Sequence, residues 1–525
     1  MPVPAGFPLS LRPLLSTAET AAASKDFARA IATYEHVLQQ LPEDPYTLVQ
    51  LSYMHSLAGE YRSAESCALR AAQTGTRDTQ ILLELLPRLR TFNRVQVMLA
   101  CIERVTPMRS MPIPLLIAAA AQLTYVNLAE RAILFLDEAR RADPDYPPTL
   151  LARTQVLMYL GRFTEAEEDV RRAIRRAPEI AQSYWLQAGL RRQTTQSNHV
   201  NVINRELRRS TRSADDVATL SFALHKELDD VGEYEAAWHA LMQGCRAKRS
   251  RLQYDDAANA KLFDALAAFQ PVVPETRVHS SSAENATPIF IVGMHRSGTT
   301  LLEQMLAGHS QIQAIGELYD FTSAMRYVTD HHCKGVIDEL VVQKAATIDL
   351  SRAGEHYRRS TQWRVAGKKF FTDKLPSNFL NLGFIVRALP DAKIIHMVRD
   401  PIETCFSNLR ELFSEANAFS YDMVELGRYY GRYRRLMQHW HAQHPNRILD
   451  IHYSDLVREP DQELRRITAF LGEEFESEMM NSNRQGRSVV TASAVQVRNK
   501  IEGRDRPKWL PYEQWLGPLL ERLAL

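Results

Sequence analysis

Between Pro288 and Leu306 the chain reads Pro-Ile-Phe-Ile-Val-Gly-Met-His-Arg-Ser-Gly-Thr-Thr-Leu-Leu-Glu-Gln-Met-Leu, and these residue types in this order can hold an anion. Gly293 and Gly298 bracket a loop and permit backbone angles closed to other residues. The loop amides and the first free amides of a following helix can then point at one phosphate, helped by the positive end of the helix dipole. Arg296 places a positive charge inside the loop, and Ser297, Thr299 and Thr300 place hydroxyls around it. A second constellation, Arg399-Asp400-Pro401, has a local logic of its own: Asp400 caps a helix, Pro401 occupies its first turn, and Ser407 falls seven residues after Asp400 on the same face. Arg399 and Ser407 can therefore converge on a second phosphate.

The spacing Gly293-x4-Gly298-Thr299-Thr300 matches a P-loop except that Thr299 stands where a lysine reaches the terminal phosphates of a nucleoside triphosphate. This argues for a nucleotide bearing a 5′-phosphate and against ordinary magnesium-dependent hydrolysis of ATP. No metal is expected. In His439-Trp-His441-Ala-Gln-His444 only 441 and 444 share a helix face, and no Cys or carboxylate stands nearby in a ligating pattern. That cluster reads as a solvated helix end, as does His331-His332.

The elements that must position these residues follow from periodicity. Ile289 to Val292 reads as a buried strand, and Leu301, Leu302, Met305 and Leu306 recur at helical spacing behind the loop. Further strands are expected at Gln311 to Ile315, Lys368 to Thr372, Lys393 to Val398 and Asn446 to His452, with helices at Ser377 to Arg387 and from Pro401 to about Leu412. Strands alternating with helices predict an α/β domain with a central parallel sheet. Its ligand edge is marked by the polar residues at the strand ends.

The first half has a different rhythm. At a shift of 34 residues, Phe27, Tyr61 and Phe163 share a phase, as do Ala30, Ala64, Ala132 and Ala166, then Pro42, Pro144 and Pro178. Gly59, Asn93, Asn127 and Gly161 also align, and these are types that tolerate the left-handed turn after a helix. The pattern predicts five tetratricopeptide-type helix pairs between about residues 20 and 190, the third degenerate because Met98 replaces the alanine. Ser213 to Arg249 contains a partial unit out of phase. The expected organisation is a tail over 1–19, a helical repeat domain over 20–270, a Pro- and Ser-rich linker over 271–287 and the α/β domain over 288–525.

Composition narrows the class. With 525 residues, 45% of them hydrophobic, the chain exceeds one ordinary core. Its 64 basic and 62 acidic residues form no long single-sign block, which argues against nucleic-acid binding. No signal peptide is visible, the longest apolar run is too short to cross a bilayer, and five scattered cysteines suit a reducing compartment. A cytoplasmic protein without membrane contact is expected; its oligomeric state is not encoded in any pattern.

The loop Arg296-Ser297-Gly298-Thr299-Thr300 behind an Ile-Phe-Ile-Val strand resembles the 5′-phosphosulfate loop of sulfotransferases that use 3′-phosphoadenosine-5′-phosphosulfate (PAPS), in particular bacterial tetratricopeptide-repeat sulfotransferases related to tyrosylprotein sulfotransferases. Many of that group carry Pro where this chain has His295. The resemblance implies a 3′-phosphate site at Arg399 and Ser407, a nucleotide contact at Tyr453, and a covering loop between Arg487 and Lys500 that supplies Lys500 and either Ser488 or Ser493. It also implies Glu317 as the base and Lys374, with Arg296, as the groups that stabilise the leaving phosphate. The acceptor is then a hydroxyl, with tyrosine, a glycan or a small phenol as the options, held by the repeats or beside a protein partner bound there. Two other readings compete: a nucleoside-triphosphate kinase, and a repeat scaffold with an inactive nucleotide-binding domain.

Overall fold

The computed structural model describes residues 6–270, 286–413, 415–481, 489–491 and 506–523. From Arg12 to Leu190 every regular element is helical, and consecutive helices such as Phe27–Gln40 with Pro45–Leu57, or Pro147–Leu160 with Phe163–Arg176, stack into a continuous array. The aligned turn positions all take the left-handed conformation, with φ of 86° at Gly59, 54° at Asn93, 63° at Asn127 and 75° at Gly161. Ala30, Ala64, Ala132 and Ala166 are fully buried where helices touch, and Met98 is fully buried at the degenerate position. Each pair exposes an apolar face that only its neighbour can cover, which is why the repeats form one continuous core.

After residue 190 the helices Ala214–Val231 and Tyr234–Arg249 pair closely. A capping box at Ser213 starts the first of them, and Gly232 in the left-handed region ends it. These helices do not extend the repeat core. Together with Ala181–Leu190 and Asp256–Ala267 they share one buried cluster with the sheet that follows. Arg249 with Glu425, Arg432 with Asp256 and Arg410 with Asp229 form ion pairs across that boundary.

The sheet comprises β1 (Thr287–Gly293), β2 (Ile312–Gln313), β3 (Phe370–Asp373), β4 (Lys393–Val398) and β5 (Ile448–His452), all parallel in the order β2-β3-β1-β4-β5. Alternation along the strands separates two faces. Ile289, Ile291, Ile395, Met397 and Ile451 pack under the helices Thr299–Leu306 and Pro460–Leu471, while Phe290, Val292 and Ile394 enter the larger cluster. Some expected boundaries shift. β2 is only two residues long, β3 starts two residues late, and the helix expected at 377–387 is a 3-10 segment, Pro376–Asn381, followed by α-helix Leu382–Ala388. The helix after Pro401 ends at Leu409.

Candidate functional site

The anion loop follows β1 and the Arg399 segment follows β4, and these strands are neighbours, with Gly293 opposite Met397. The two phosphate-type constellations therefore meet at one edge of the sheet, where the strand order reverses direction. The loop is held before any ligand arrives. Arg399 Nη1 donates to the Arg296 carbonyl at 2.9 Å, Arg296 Nε to Ser407 Oγ at 3.3 Å, and Asn408 Nδ2 to the His295 carbonyl at 2.7 Å. Arg296 itself sits at φ 69°, a left-handed conformation that L-residues adopt at a cost and that clusters at ligand clamps.

Both loop glycines are required by close approach. A Cβ on Gly293 would stand 2.7 Å from the Met397 carbonyl oxygen, and one on Gly298, at φ 106°, would stand 2.5 Å from the Tyr453 ring. Tyr453 also lies beneath the Arg399 guanidinium, 4.7 Å from ring centroid to carbon, so it braces both constellations. Arg399 Nη2 pairs with Glu403 at 2.8 Å, and Asp400 caps its helix through the Glu403 amide. Ser297 Oγ is buried and has no hydrogen-bond partner among the described residues. The Arg296 side chain is only 7% exposed and stands 3.6 Å from Glu411. Burial lowers the Arg296 pKa and raises that of Glu411, each opposed by the charge of the other.

A third group joins from β3. Lys374 is 0% exposed, and its Nζ stands 2.9 Å from Glu317 Oε1 and 4.0 Å from Glu303 Oε2. Glu303 was not anticipated from sequence. It lies on the buried face of the helix Thr299–Leu306, where Oε1 accepts from the Gly316 amide at 2.9 Å and from Thr372 Oγ1 at 2.7 Å. Burial pushes its carboxyl pKa up, and the Lys374 charge opposes that. A carboxylate interrupting an apolar helical stripe was the available signal. Glu303 thus fixes the turn that presents Glu317 to Lys374.

The repeats complete the site from the other side. Asn127 Nδ2 donates to the Glu317 carbonyl at 2.9 Å, Tyr125 stacks on Tyr319 with ring centroids 5.4 Å apart, and Arg364 Nη1 donates to the Val126 carbonyl at 2.9 Å. Val489 docks its amide on the Tyr159 carbonyl at 3.0 Å, and Thr491 Oγ1 stands 3.4 Å from Thr300 Oγ1 on the helix Thr299–Leu306. Ser488, Ser493 and Lys500 lie outside the described residues. A cavity of about 380 Å³ runs from Asn127 and Glu130 past Gly316 and the exposed edge of β2 to Thr491.

Two histidine readings are corrected. His332 is no solvated helix end: it stacks on Tyr61 at 5.8 Å and donates its amide to the Gly59 carbonyl at 3.1 Å, and burial drives its pKa down to about 4. His331 pairs with Asp338 at 2.8 Å. His441 also has a carboxylate partner, Asp450 at 2.8 Å, brought from β5 by the fold and invisible to local spacing.

Residues 288–477 match the sulfotransferase family. An uncharacterized protein of Aquifex aeolicus (strain VF5) is 28% identical over 417 residues, covering 76% of this chain, and the match spans 53% of that protein's own length. A putative protein-tyrosine sulfotransferase of Caenorhabditis briggsae is 24% identical over 234 residues, 42% of this chain and 80% of the relative. Among solved structures, the sulfotransferase domain from the curacin biosynthetic pathway aligns with 20% identity and a TM-score of 0.29, covering 44% of this chain and 97% of the domain. No described helix is long and apolar enough to cross a membrane.

Proposed function

We propose that this chain, whose residues 288–477 match the sulfotransferase family, transfers the sulfuryl group of PAPS to an acceptor hydroxyl. The observation that carries the reading is the pairing of Lys374 with Glu317, 2.9 Å apart, at the sheet edge where Arg296 in the loop after β1 meets Ser407 at 3.3 Å. The buried, unpartnered Ser297 hydroxyl and the two glycines with no room for a Cβ suit a 5′-phosphate lying against the loop amides. Arg399, just after β4, and Ser407, on the helix Pro401–Leu409 that follows, suit the 3′-phosphate. Tyr453 offers a ring between them.

In this reading the acceptor oxygen attacks sulfur as the bond from sulfur to the 5′-phosphate bridging oxygen breaks. Glu317 takes the acceptor proton, and phosphoadenosine phosphate leaves. Negative charge gathers on the departing phosphate, where Arg296, the loop amides, the hydroxyls of Thr299 and Thr300, and Lys374 are preorganised to meet it. Lys374 is fully buried, where a charge is screened far less than in water. By the family resemblance, Ser488 or Ser493, with Lys500, would supply further contacts to the nucleotide. The acceptor enters between the repeats and the sheet edge, so the helical half holds the acceptor or a protein partner while the α/β half does the chemistry.

The test is calorimetry with phosphoadenosine phosphate, adenosine 5′-monophosphate and ATP with magnesium, followed by PAPS turnover on tyrosine peptides, glycans and phenols. Preference for the bisphosphate together with sulfation of any acceptor supports the reading. Tighter binding of ATP with magnesium overturns it in favour of a kinase, and failure to bind phosphoadenosine phosphate at all indicates an inactive scaffold.

A further inference from the structure

β4 and β5 place His396 directly opposite Asp450 in register, on the sheet face that packs against the helix Met423–Gln443. His441, near the end of that helix, reaches the same carboxylate. His396 Nδ1 and His441 Nε2 each stand 2.8 Å from Asp450 Oδ1, and the three ligand-type atoms lie within 4.8 Å of one another. We propose that His396, His441 and Asp450 form a binding site for a zinc-class divalent cation, with a further coordination position open to solvent.

The donor set favours this class of ion. Two imidazole nitrogens and one carboxylate oxygen suit Zn²⁺ and its first-row neighbours, whereas magnesium and calcium take oxygen ligands. Access is available, because the His441 and Asp450 side chains are 35% and 37% exposed while His396, at 7%, forms the floor. Ligand atoms about 2.0–2.1 Å from a tetrahedral ion stand roughly 3.3 Å apart, so each contact to Asp450 opens by only about half an ångström on binding. Metal-bound histidines are oriented by a partner on the far nitrogen. Here His396 Nε2 already meets the Tyr433 hydroxyl. An ion on Nδ1 holds the His396 proton on Nε2, so the imidazole then donates to Tyr433.

Val292, just ahead of the loop, pairs with His396 across β1 and β4. The cation site therefore lies beside the strand that leads into the loop, and its binding does not depend on the sulfuryl-transfer reading.

The test uses the full chain, stripped with chelator and titrated with Zn²⁺ by calorimetry and with Co²⁺ by visible absorption. One equivalent should bind, with the intense bands of low-symmetry four-coordinate Co²⁺. His441→Ala and Asp450→Asn, both at partly exposed positions, should each weaken binding by more than the roughly 10- to 100-fold that loss of an outer partner costs, and Tyr433→Phe should fall within that range. Absence of stoichiometric binding leaves a hydrogen-bonded triad and overturns the proposal. Parental affinity in folded His441→Ala protein also overturns it, because the ion then binds elsewhere.

Discussion

Asn127 donates its side-chain amide to the carbonyl of Glu317 at 2.9 Å, across 190 positions of sequence. Asn127 ends a repeat helix in the left-handed conformation, with φ 63°. A residue chosen for its turn geometry thus also holds the candidate base. Through it the repeat array touches the backbone from which Glu317 reaches Lys374, so the two halves of the chain share one site.

Asn127→Gly keeps the left-handed turn and removes only the amide, so it isolates this contact. Turnover should fall about two- to tenfold, in line with loss of one partly buried hydrogen bond worth roughly 0.5–1.5 kcal/mol, while phosphoadenosine phosphate binding stays unchanged. A drop in melting temperature with unaltered turnover would assign Asn127 to stability alone.

Glu317→Gln retains shape and removes the base. Donor affinity should be nearly constant, and turnover should fall about a hundredfold or more. Parental turnover in this variant would remove Glu317 from the reaction and leave Lys374 paired with Glu303 as the remaining buried couple near the loop.

Arg399→Ala should weaken phosphoadenosine phosphate far more than adenosine 5′-monophosphate, by a charge-assisted contact of about 1.5–3 kcal/mol. The geometry sharpens the comparison, because Arg399 also supports the Arg296 carbonyl. Equal losses for the two ligands, measured by calorimetry, would make Arg399 a strut of the loop rather than a reader of the 3′-phosphate.

His225 should make the fold acid-sensitive. Its Nδ1 donates to the Ala237 carbonyl and its Nε2 accepts from Arg410 Nε, both at 2.8 Å, so the ring is held neutral. Burial, then the Arg410 charge, lowers its pKa to about 3. The unfolded ring takes up a proton near the ordinary value of about 6.5. Its stabilising contribution is therefore complete above that pH and declines as pH falls toward 3, by about 1.4 kcal/mol per pH unit. Denaturant midpoints of the parent and His225→Gln between pH 7 and 4 should converge as pH falls. Parallel curves would show that His225 titrates alike in both states.

Local rules made much of this chain legible. The left-handed turns at Gly59, Asn93, Asn127 and Gly161 follow from residue types repeated at one period. β4 falls at Lys393–Val398, the span read from sequence, and the capped helix after Asp400 starts where its Asp-Pro pair requires. Such features depend on sterics and hydrogen bonds within a few residues, which a short window of sequence contains. Glu303 holding Gly316, Tyr453 filling the space beside Gly298, and Asp450 joining His396 to His441 are of another kind. So is the shared core that fuses the helices after residue 180 to the sheet. Each depends on which faces pack together once distant segments are brought within a few ångströms. Only the tertiary structure decides that, because the energy that selects those contacts is burial summed over the whole core, and no single stretch of chain carries it.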